Sequence, residues 1–529
     1  MLEREIKFRL PPGEDPALIV EAIQSAGFRL EPSRGVSHED RYLDTEDWAL
    51  YRAGLALRLR REGSEGSLEA KTIRSRSEET LERTEWVEPA PPGDPPWMEL
   101  PEGPVAALLA PLGRLRVIER LQVRARVHSD RRLFRWLSDQ EVLGSVSFDH
   151  VRNSGTSRGD ADYREVEIEL LDGATDALAD VRAAVEHRIG LRSTTQSKLA
   201  AALAIAGERL PELDERPYAL HEGDRLADVA VKTLGRHFTR MFWSEPGTRL
   251  NVDPEHLHDM RVATRRLRTA LQVFSMAIPE AVQEDFSREL RWIGRALGRV
   301  RDIDVGLDRV QRMSLKAPEH ERAALYVFAR YLEIRRARRR RRLLRRLDSH
   351  RYEAFRDRAR SWMEGMPSVW EAVATPERQV DVPGSGGISP SFAPAYMIGP
   401  RIVAEWDRRL REACEEAERR PSAANVHALR IAVKHARYAV EYFAVGEGRN
   451  AHRRAKQLAR LQDTLGDHQD AATLLDHMRR YARTVPKRDR QLTLGARAVM
   501  DRLEEDSQIA KSELREVWEL GTGADVTAA

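Results

Sequence analysis

The first residues of the chain carry a charged pattern that could do chemistry. In the segment EREIKFRL, Glu3, Glu5 and Lys7 recur at every second position, and Ile6 and Phe8 alternate with them. In a β-strand this spacing places the charged residues on one face and the apolar residues on the other. Carboxylates bind hard divalent cations through oxygen, and cationic side chains bind phosphoryl oxygens. The pattern therefore indicates either a solvated strand face or one wall of a site for metal and phosphate.

The same alternation recurs in other predicted strands. Charged residues oppose apolar ones in LALRLR (Arg58, Arg60), ERTEW (Arg83, Glu85), RLQVRARV (Arg120, Arg124, Arg126) and REVEIEL (Glu165, Glu167, Glu169). Two geometries fit this pattern. Either the apolar faces fill a barrel and the charges face water, as is usual for small barrels, or the charges line the interior and helices cover the apolar exterior. The second geometry is costly unless ions or ligands neutralise the charges.

Two breaks divide the chain. Residues 1–205 contain about eight or nine alternating runs joined by short turns, which is typical of an antiparallel barrel or sandwich. After the proline-flanked segment PELDERP, long helices rich in arginine and leucine follow, and VPGSGGISPSFAP interrupts them. We predict a β domain at 1–205, a linker at 206–221, a helical domain at 222–510 (two halves, about 222–380 and 394–510) and a tail at 511–529.

Composition and charge exclude several classes of protein. No apolar run approaches the 18 or more residues that a membrane span needs, and the single cysteine, Cys414, excludes an internal disulfide framework. The N-terminus begins a strand rather than a leader, so we expect a cytoplasmic protein. Residues 1–200 hold 29 basic and 36 acidic residues, and the remainder holds 59 basic and 49 acidic residues. An acidic front half suits cation binding, and a basic rear half suits a polyanion.

Lysine is rare in this chain and marks particular positions. The sequence has 79 arginines and only 9 lysines, and the first 200 residues contain Lys7, Lys71 and Lys198 alone. Where arginine is the default cation, a lysine indicates a position that needs a compact point charge rather than a planar fork. We therefore treat these three lysines as candidate site residues.

These residues together resemble the CYTH family, the triphosphate tunnel metalloenzymes, over residues 1 to about 205. The ExExK signature of the family is filled by Glu3, Glu5 and Lys7. Further matches follow in order along the chain: RYLDT (Tyr42, Asp44, Thr45), Arg58 and Arg60, Lys71, the Arg83/Glu85 pair, Arg124 and Arg126, Asp149, Glu167 and Glu169, and Lys198. All three lysines of the front half fall within this ordered set.

The resemblance implies a fold and a site. The family fold is an eight-stranded antiparallel barrel whose charged interior binds a triphosphate and a divalent metal, which favours the second geometry. By resemblance, the ligands of Mg²⁺ or Mn²⁺ are Glu3, Glu5, Asp149, Glu167 and Glu169. The residues that bind phosphate are Lys7, Arg58, Arg60, Lys71, Arg83, Arg124, Arg126 and Lys198. The residues expected to be catalytic are Glu3, Glu5, Lys7 and Lys71.

Three functions are compatible with such a tunnel. The first is metal-dependent hydrolysis of inorganic triphosphate or another short triphosphate, which would make the protein an inorganic triphosphatase. The second is a protein that binds or targets polyphosphate without catalysis, and the third is cyclisation of ATP, an adenylate cyclase activity known within the family. The intact acid set argues against a purely binding role, and no nucleoside pocket is evident in the sequence. The chain has no GxxxxGK[ST] loop, which argues against a P-loop ATPase.

The helical half contains a duplicated basic stripe. HDMRVATRRLRTALQVF (258–274) aligns with HALRIAVKHARYAVEYF (427–443), with six identities in 17 positions, and LGRVRD (297–302) and LGDHQD (465–470) follow at nearly the same offset. The spacing i, i+3, i+7, i+10 places four residues on one helix face. The two stripes are His258, Arg261, Arg265, Arg268 and His427, Arg430, Lys434, Arg437. We predict a duplicated helical bundle whose basic face is either solvated or binds an anion.

This pattern resembles the CHAD family over about residues 220–510. CHAD domains are helical, are often attached to CYTH domains and are associated with inorganic polyphosphate, which would bring this protein to polyphosphate granules. His435 stands where the first copy has Arg266, so the copies differ chemically. The run RRARRRRRLLRR (335–346) is compatible with a solvated helix, a polyphosphate contact or an RNA patch. It lacks the interleaved aromatic residues that stack bases, so we rank nucleic acid below polyphosphate as a partner.

Overall fold

The computed structural model of the chain describes residues 2–73, 81–153, 161–171, 176–364, 391–444, 448–485 and 489–507. The chain divides into two compact units. The first comprises Met1–Glu212 and Ser244–His256, and the second comprises Leu213–Trp243 and Leu257–Ala529. The predicted linker at 206–221 contains this first boundary, whereas Ser244–His256 lies within the range predicted to be helical domain.

The first unit is built on a closed antiparallel barrel of eight strands, as the resemblance implied. The strands are β1 (Leu2–Leu10), β2 (Arg29–Asp44), β3 (Leu55–Glu62), β4 (Glu65–Thr72), β5 (Leu81–Pro89), β6 (Gln122–Ser138), β7 (Glu141–Asn153) and β8 (Ala161–Leu170). Hydrogen-bonded neighbours around the barrel follow the order β1-β5-β4-β3-β2-β6-β7-β8. Strand β6 is long and continues from the run RLQVRARV through the segment RLFRWL that follows it.

Helices cover the outside of this barrel and pack on its apolar faces. Ile6 and Phe8 of β1 are buried outside the barrel in one cluster that includes Ile19 and Val181 from the covering helices. Leu57 of β3 belongs to a second exterior cluster. The helices of this unit are α1 (Ala17–Ser25), α2 (Ala49–Arg52), α3 (Pro104–Leu109), α4 (Asp176–Ile189), α5 (Lys198–Ala206) and α7 (Glu245–Leu250). The apolar faces therefore point outward and the charged faces inward, which is the second of the two geometries.

The second unit is helical in the described part of the chain. Its helices are α6 (Leu226–Trp243), α8 (Pro254–Val273, whose first turn lies in the first unit), α9 (Glu280–Lys316), α10 (Glu319–Leu347), α11 (His350–Glu364), α12 (Ala395–Arg419), α13 (Ala423–Phe443), α14 (Gly448–Ala482) and α15 (Arg490–Ser507). None of the described helices combines the length and the hydropathy that a membrane crossing requires.

The two aligned copies meet in the core of this unit. Phe274 and Phe443 end the aligned segments, and their ring centroids lie 5.5 Å apart in an edge-to-face arrangement. The Tyr442 hydroxyl donates a hydrogen bond to the Arg266 carbonyl oxygen at 3.0 Å, which ties α13 to α8. These contacts place the two basic stripes on neighbouring helices of one core.

Candidate active-site tunnel and basic groove

A cavity of about 270 Å³ lies inside the barrel. All eight strands and α5 contribute to its wall, because the inward-facing residue of each strand recurs at every second position. Nine residues that the sequence predicted for the site line this cavity: Glu5, Lys7, Arg58, Arg60, Lys71, Arg83, Glu167, Glu169 and Lys198. The cavity is therefore lined by charges of both signs.

The pairing of β1 with β8 places acids and a lysine on alternate rungs of the ladder. Glu5 lies opposite Glu169, and Lys7 lies opposite Glu167. The Lys7 Nζ atom lies 2.7 Å from Glu167 Oε1 and 3.3 Å from Glu5 Oε1. Burial disfavours the charged ammonium, but the attraction of Glu167 and Glu5 outweighs it and raises the pKa of Lys7 above its usual value. Lys7 thus stays protonated and joins the two acidic rungs.

Lys198 stands among three buried carboxylates. Its Nζ atom lies 2.6 Å from Glu165, 2.9 Å from Asp149 and 2.9 Å from Glu167. Oxygen atoms of these acids lie within 4.8 Å of one another, which is close enough to share a metal ion. Arg131 adds two hydrogen bonds to Asp149 at 2.6 and 2.7 Å and one to Glu167 at 2.6 Å.

These cations keep the acids ionised. Burial favours the neutral carboxyl, but Lys198 and Arg131 outweigh it and hold the pKa of Asp149 below its usual value. Burial likewise opposes ionisation of Glu167, yet Lys198, Lys7 and Arg131 hold its pKa well below the usual range. The same acids raise the pKa of Lys198 well above its usual value despite its burial. Asp149, Glu167 and Lys198 are therefore charged at neutral pH.

The opposite wall holds arginines that are paired with acids. The Arg60 guanidinium donates two hydrogen bonds to Asp40, at 2.8 and 2.9 Å. Arg58 donates to Glu69 at 2.7 Å and to Asp40 at 3.4 Å. Nearer β5, Lys71 lies 3.2 Å from Glu85, and Arg83 lies 3.5 Å from Glu5. Each cation on this wall can therefore exchange a carboxylate for a phosphate oxygen without being left unpaired.

Several predicted residues lie elsewhere. The side chain of Glu3 is outside the described part of the chain, although its backbone pairs with Arg83. Asp149 is fully buried behind the cavity wall. Arg126, which lies on the opposite face of β6 from Arg131, is half exposed and lies 3.6 Å from Glu39. The Arg124 guanidinium stacks on the Trp48 ring, with 4.4 Å from Cζ to the ring centroid.

The sequence reasoning missed three charged residues of the barrel interior, namely Arg131, Asp40 and Glu69. Arg131 comes just before the run RLFRWL and four residues after Val127, so it shares a strand face with that apolar residue. The alternation therefore gave no sign that this position carries a charge into the barrel. Asp40 alternates with Tyr42, so the resemblance to RYLDT could have drawn attention to it. Glu69 alternates with Lys71 and could have been found from that spacing.

The donor set of the tunnel fits a hard divalent cation. Carboxylate oxygens are the ligands that Mg²⁺ and Mn²⁺ prefer, and Glu5, Glu167 and Glu169 present them to the cavity. Buried carboxylates without a cation are costly, and in this structure Lys198, Lys7 and Arg131 supply the positive charge. The tunnel therefore presents oxygen ligands for a hard cation beside side chains of the kind that bind phosphoryl oxygens.

The second unit contains a basic groove between α8 and α13. This groove is a cavity of about 440 Å³, and six of the eight stripe residues line it: Arg261, Arg265, Arg268, His427, Arg430 and Lys434. His258 is not among its lining residues, and Arg437 donates a hydrogen bond to Glu441 at 2.7 Å. The duplication thus brings most of the two stripes onto one cavity.

The positive charge of the groove exceeds the negative charge of the acidic side chains near it. Burial, followed by repulsion from Arg265 and Arg268, lowers the pKa of Lys434 to about 7. The buried Nε atoms of Arg261 and Arg265 have no hydrogen-bond partner among the described residues. An anion in the groove would supply both the missing acceptors and the missing charge.

The arginine run on α10 forms a separate surface. Arg338, Arg341, Arg342 and Arg345 line a cavity of about 520 Å³ together with Leu344 and Asp348. No aromatic side chain is among these lining residues. This surface therefore offers phosphate contacts but no platform for stacking a base.

Comparison with known proteins agrees with this architecture. Residues 1–202 match the family model of the CYTH domain, and residues 232–479 match that of the CHAD domain. No curated protein matches the chain.

Among solved structures, the CHAD domain of Ricinus communis is 25% identical and covers 58% of this chain and 94% of its own, with a TM-score of 0.45. A Hippeastrum protein described as an adenylyl cyclase with a dominant triphosphatase activity is 19% identical and covers 40% and 98%, with a TM-score of 0.30. PptA from Streptomyces chartreusis is 17% identical and covers 56% and 100%, with a TM-score of 0.43.

Proposed function

Because the chain consists of a CYTH domain followed by a CHAD domain, we propose that it hydrolyses inorganic triphosphate, or another short triphosphate, with a divalent metal and binds inorganic polyphosphate through its helical unit. One observation carries the catalytic part of this proposal. The interior of the barrel holds acids and cations in alternation along the wall of a single cavity. A solvated charged face would not explain why these groups are buried and mutually paired.

The acids of the tunnel would hold the cation. We assign this role to Glu5, Glu167 and Glu169, with Asp149 behind them and Glu3 as the remaining residue of the signature. When bound, Mg²⁺ or Mn²⁺ would withdraw charge from the terminal phosphoryl oxygens.

The cations of the tunnel would bind the phosphate chain and stabilise the charge that develops on it. Arg58, Arg60 and Arg83 present guanidinium groups to the cavity, and Lys7, Lys71 and Lys198 present ammonium groups. As the leaving pyrophosphate gains charge, these fixed donors stabilise it without reorganisation. Lys7 and Lys71 are the compact charges that approach the chain, and each would exchange an acid partner for a phosphoryl oxygen.

The lining of the cavity favours hydrolysis over cyclisation. This lining is predominantly charged and suits a bare phosphate chain better than an adenine ring. A cyclase would have to enclose the nucleoside as well as the triphosphate.

Phosphate release by the purified protein tests this function. We expect release from inorganic triphosphate in excess of release from ATP, dependence on Mg²⁺ or Mn²⁺, and loss in chelator. Glu5→Gln should lower the rate by on the order of 100-fold, because it removes a charged metal ligand. The exposed Glu21→Gln, on α1, serves as the matched control. Metal-independent release, or equal release by Glu5→Gln, would contradict the assignment, and cyclic AMP formed from ATP would indicate the cyclase.

The basic groove supports the second part of the proposal. Its five arginine and lysine side chains line one cavity, and two of them have buried donors without acceptors among the described residues. We expect Arg265→Gln to weaken polyphosphate binding by about tenfold or more, since a hydrogen bond to a charged group contributes about 1.5–3 kcal/mol. Arg338→Gln, in the arginine run of α10, is the matched control.

Binding that depends on Arg338 and not on Arg265 would move the polyphosphate site to α10. Binding without phosphate release from any substrate would favour the non-catalytic alternative.

A further inference from the structure

The basic groove lies beside a second cavity of a different character. This side pocket, of about 650 Å³, shares Gln272 and His435 with the groove. Its other walls come from the end of α8, from α9 and from α12. A ligand bound in the groove beside Gln272 and His435 therefore lies next to the side pocket.

The charge falls sharply from the groove to the side pocket. The pocket is lined by apolar side chains, including Met276, Ile398 and Ile402. Of its two arginines, Arg409 is held by Glu405 at 2.8 Å and stacks on Trp406 at 4.6 Å. Arg401 is exposed at the pocket. A bare phosphate chain gains less from such walls than from the groove, whereas a ligand with an apolar group gains by burying it there.

The asymmetry of the two copies creates this environment. The first copy has Arg266, which pairs with Glu441 at 2.6 Å. The second copy has His435 at the equivalent position, and its ring lies 5.0 Å from Trp406 in an edge-to-face arrangement. Burial, together with repulsion from Lys434, Arg268 and Arg409, lowers the pKa of His435 to about 3, so its imidazole is neutral. The second copy therefore has the neutral ring of His435, packed on the Trp406 indole, at the position where the first copy has the cation of Arg266.

We propose that the side pocket and the groove together form a nucleotide site, in which the groove binds the phosphates and the side pocket encloses the base. The pocket offers flat apolar surface together with amides from Gln272 and Gln283 and a neutral imidazole. These groups can hydrogen-bond the polar edge of a heterocycle, which an alkyl chain lacks. The proposal rests on the groove being an anion site, as proposed above.

Photolabelling of the full chain with 8-azido-ATP tests this site, because the labelled peptide identifies which unit binds the probe. We expect label on peptides that contain Met276 or residues 398–409. Unlabelled ATP should displace it at a concentration at least tenfold lower than inorganic triphosphate requires, because only ATP has a base to bury.

Two methionine variants complete the test. Met276 lines the side pocket and is 38% exposed, whereas Met397 is 37% exposed on α12 and does not line it. Met276→Glu should lower the label on these peptides at least tenfold, and Met397→Glu should leave it unchanged. No label there, equal displacement by ATP and triphosphate, or label that persists in Met276→Glu would each overturn the proposal. If polyphosphate still binds in an Arg265-dependent way, only the nucleotide site fails; if it does not, the polyphosphate proposal fails as well.

Discussion

At the scale of single residues, the tunnel and the groove shift the pKa values of their lysines in opposite directions. Lys198 lies within 3 Å of three carboxylates, and its pKa is raised well above the usual value despite burial. Lys434 lies among arginines, and its pKa is lowered to about 7. One ammonium is held by acids before any ligand arrives, and the other depends on an incoming anion for its charge.

Replacing Lys198 should destabilise the barrel. Lys198→Met leaves Asp149, Glu165 and Glu167 buried without their main counter-charge, and removal of one partner of a buried pair costs about 3–5 kcal/mol. The loss should be largest near pH 7. In the wild type, the pKa values of Asp149 and Glu167 are lower in the folded state than in the unfolded state. Both acids therefore stabilise the fold at any pH above their unfolded pKa values, and this stability is lost as the pH falls through their folded pKa values.

Urea unfolding followed by hydrogen exchange of the barrel strands measures this loss. Added Mg²⁺ should recover more stability in Lys198→Met than in wild type, because a cation replaces the missing charge. Arg330→Met, which removes an exposed pair with Glu333, is the control and should cost less than about 1 kcal/mol. Equal losses in the two variants would show that Lys198 does not compensate the acids.

Polyphosphate binding should depend on pH through Lys434. A bound anion favours the ammonium form and raises the pKa of Lys434 above its free value of about 7. Affinity should then be constant at low pH and fall as the pH rises from 7 towards the raised value, by up to about tenfold per pH unit. Titration calorimetry from pH 6 to 9 measures this profile, and Lys434→Gln should flatten it. A Lys434→Gln variant that keeps the wild-type profile would assign the dependence to another group.

At the scale of elements, the alternation predicted which residues share a strand face, but it did not predict which face points into the barrel. Glu5 and Lys7 share a face whether the barrel is filled with leucine or with charge, so the pattern alone cannot decide. The resemblance to a family resolved the choice, and the clusters of Ile6 and Phe8 on the outer surface confirm it. Arg124 could not be placed by counting, because the β2–β6 ladder passes from Tyr42–Ala125 to Leu43–Val123 and shifts register there.

The helical copies were predicted more completely, since a repeated stripe specifies a helix face twice. What the sequence could not give was the side pocket. It is formed by the turn after α8 together with α12, and these segments lie more than 100 residues apart in the chain.

Asp44 of the RYLDT segment should prove to be a structural residue. Its carboxylate accepts hydrogen bonds from the backbone N–H groups of Thr45 at 2.7 Å, Leu50 at 2.9 Å and Tyr51 at 2.8 Å, which joins the end of β2 to α2. Asp44→Ala leaves these donors without their acceptor and should lower the free energy of unfolding by about 2 kcal/mol or more. Asp44→Asn keeps one acceptor oxygen and should lose less. Thermal or urea unfolding compares them, and equal losses would exclude this role.

At the scale of the whole molecule, the two sites differ in their net charge. The tunnel pairs each described cation with acids, whereas the groove presents an excess of cations. Salt screens exposed and uncompensated charges more strongly than buried pairs, with a Debye length of about 10 Å at 0.1 M and about 3 Å at 1 M. Polyphosphate binding and triphosphate hydrolysis should therefore respond differently to ionic strength.

We expect polyphosphate affinity to fall at least about tenfold between 0.1 and 0.5 M KCl, because several groove cations act together. The KM for triphosphate should change less than about threefold over the same range. Parallel binding and kinetic assays measure both quantities. A common salt dependence would mean that one surface serves both ligands.

The barrel has its charged strand faces inside and its apolar faces outside, and this arrangement affects how its sequence can evolve. Neighbouring residues of β1 belong to different tasks, since Glu5 and Lys7 face the cavity while Ile6 and Phe8 hold the covering helices. Selection for the reaction and selection for folding therefore act on alternate residues of the same strand. A substitution at an inward-facing residue can alter substrate binding, while the outward-facing residues on either side of it preserve the fold. Related barrels can therefore acquire new reactions without substitutions in their apolar core.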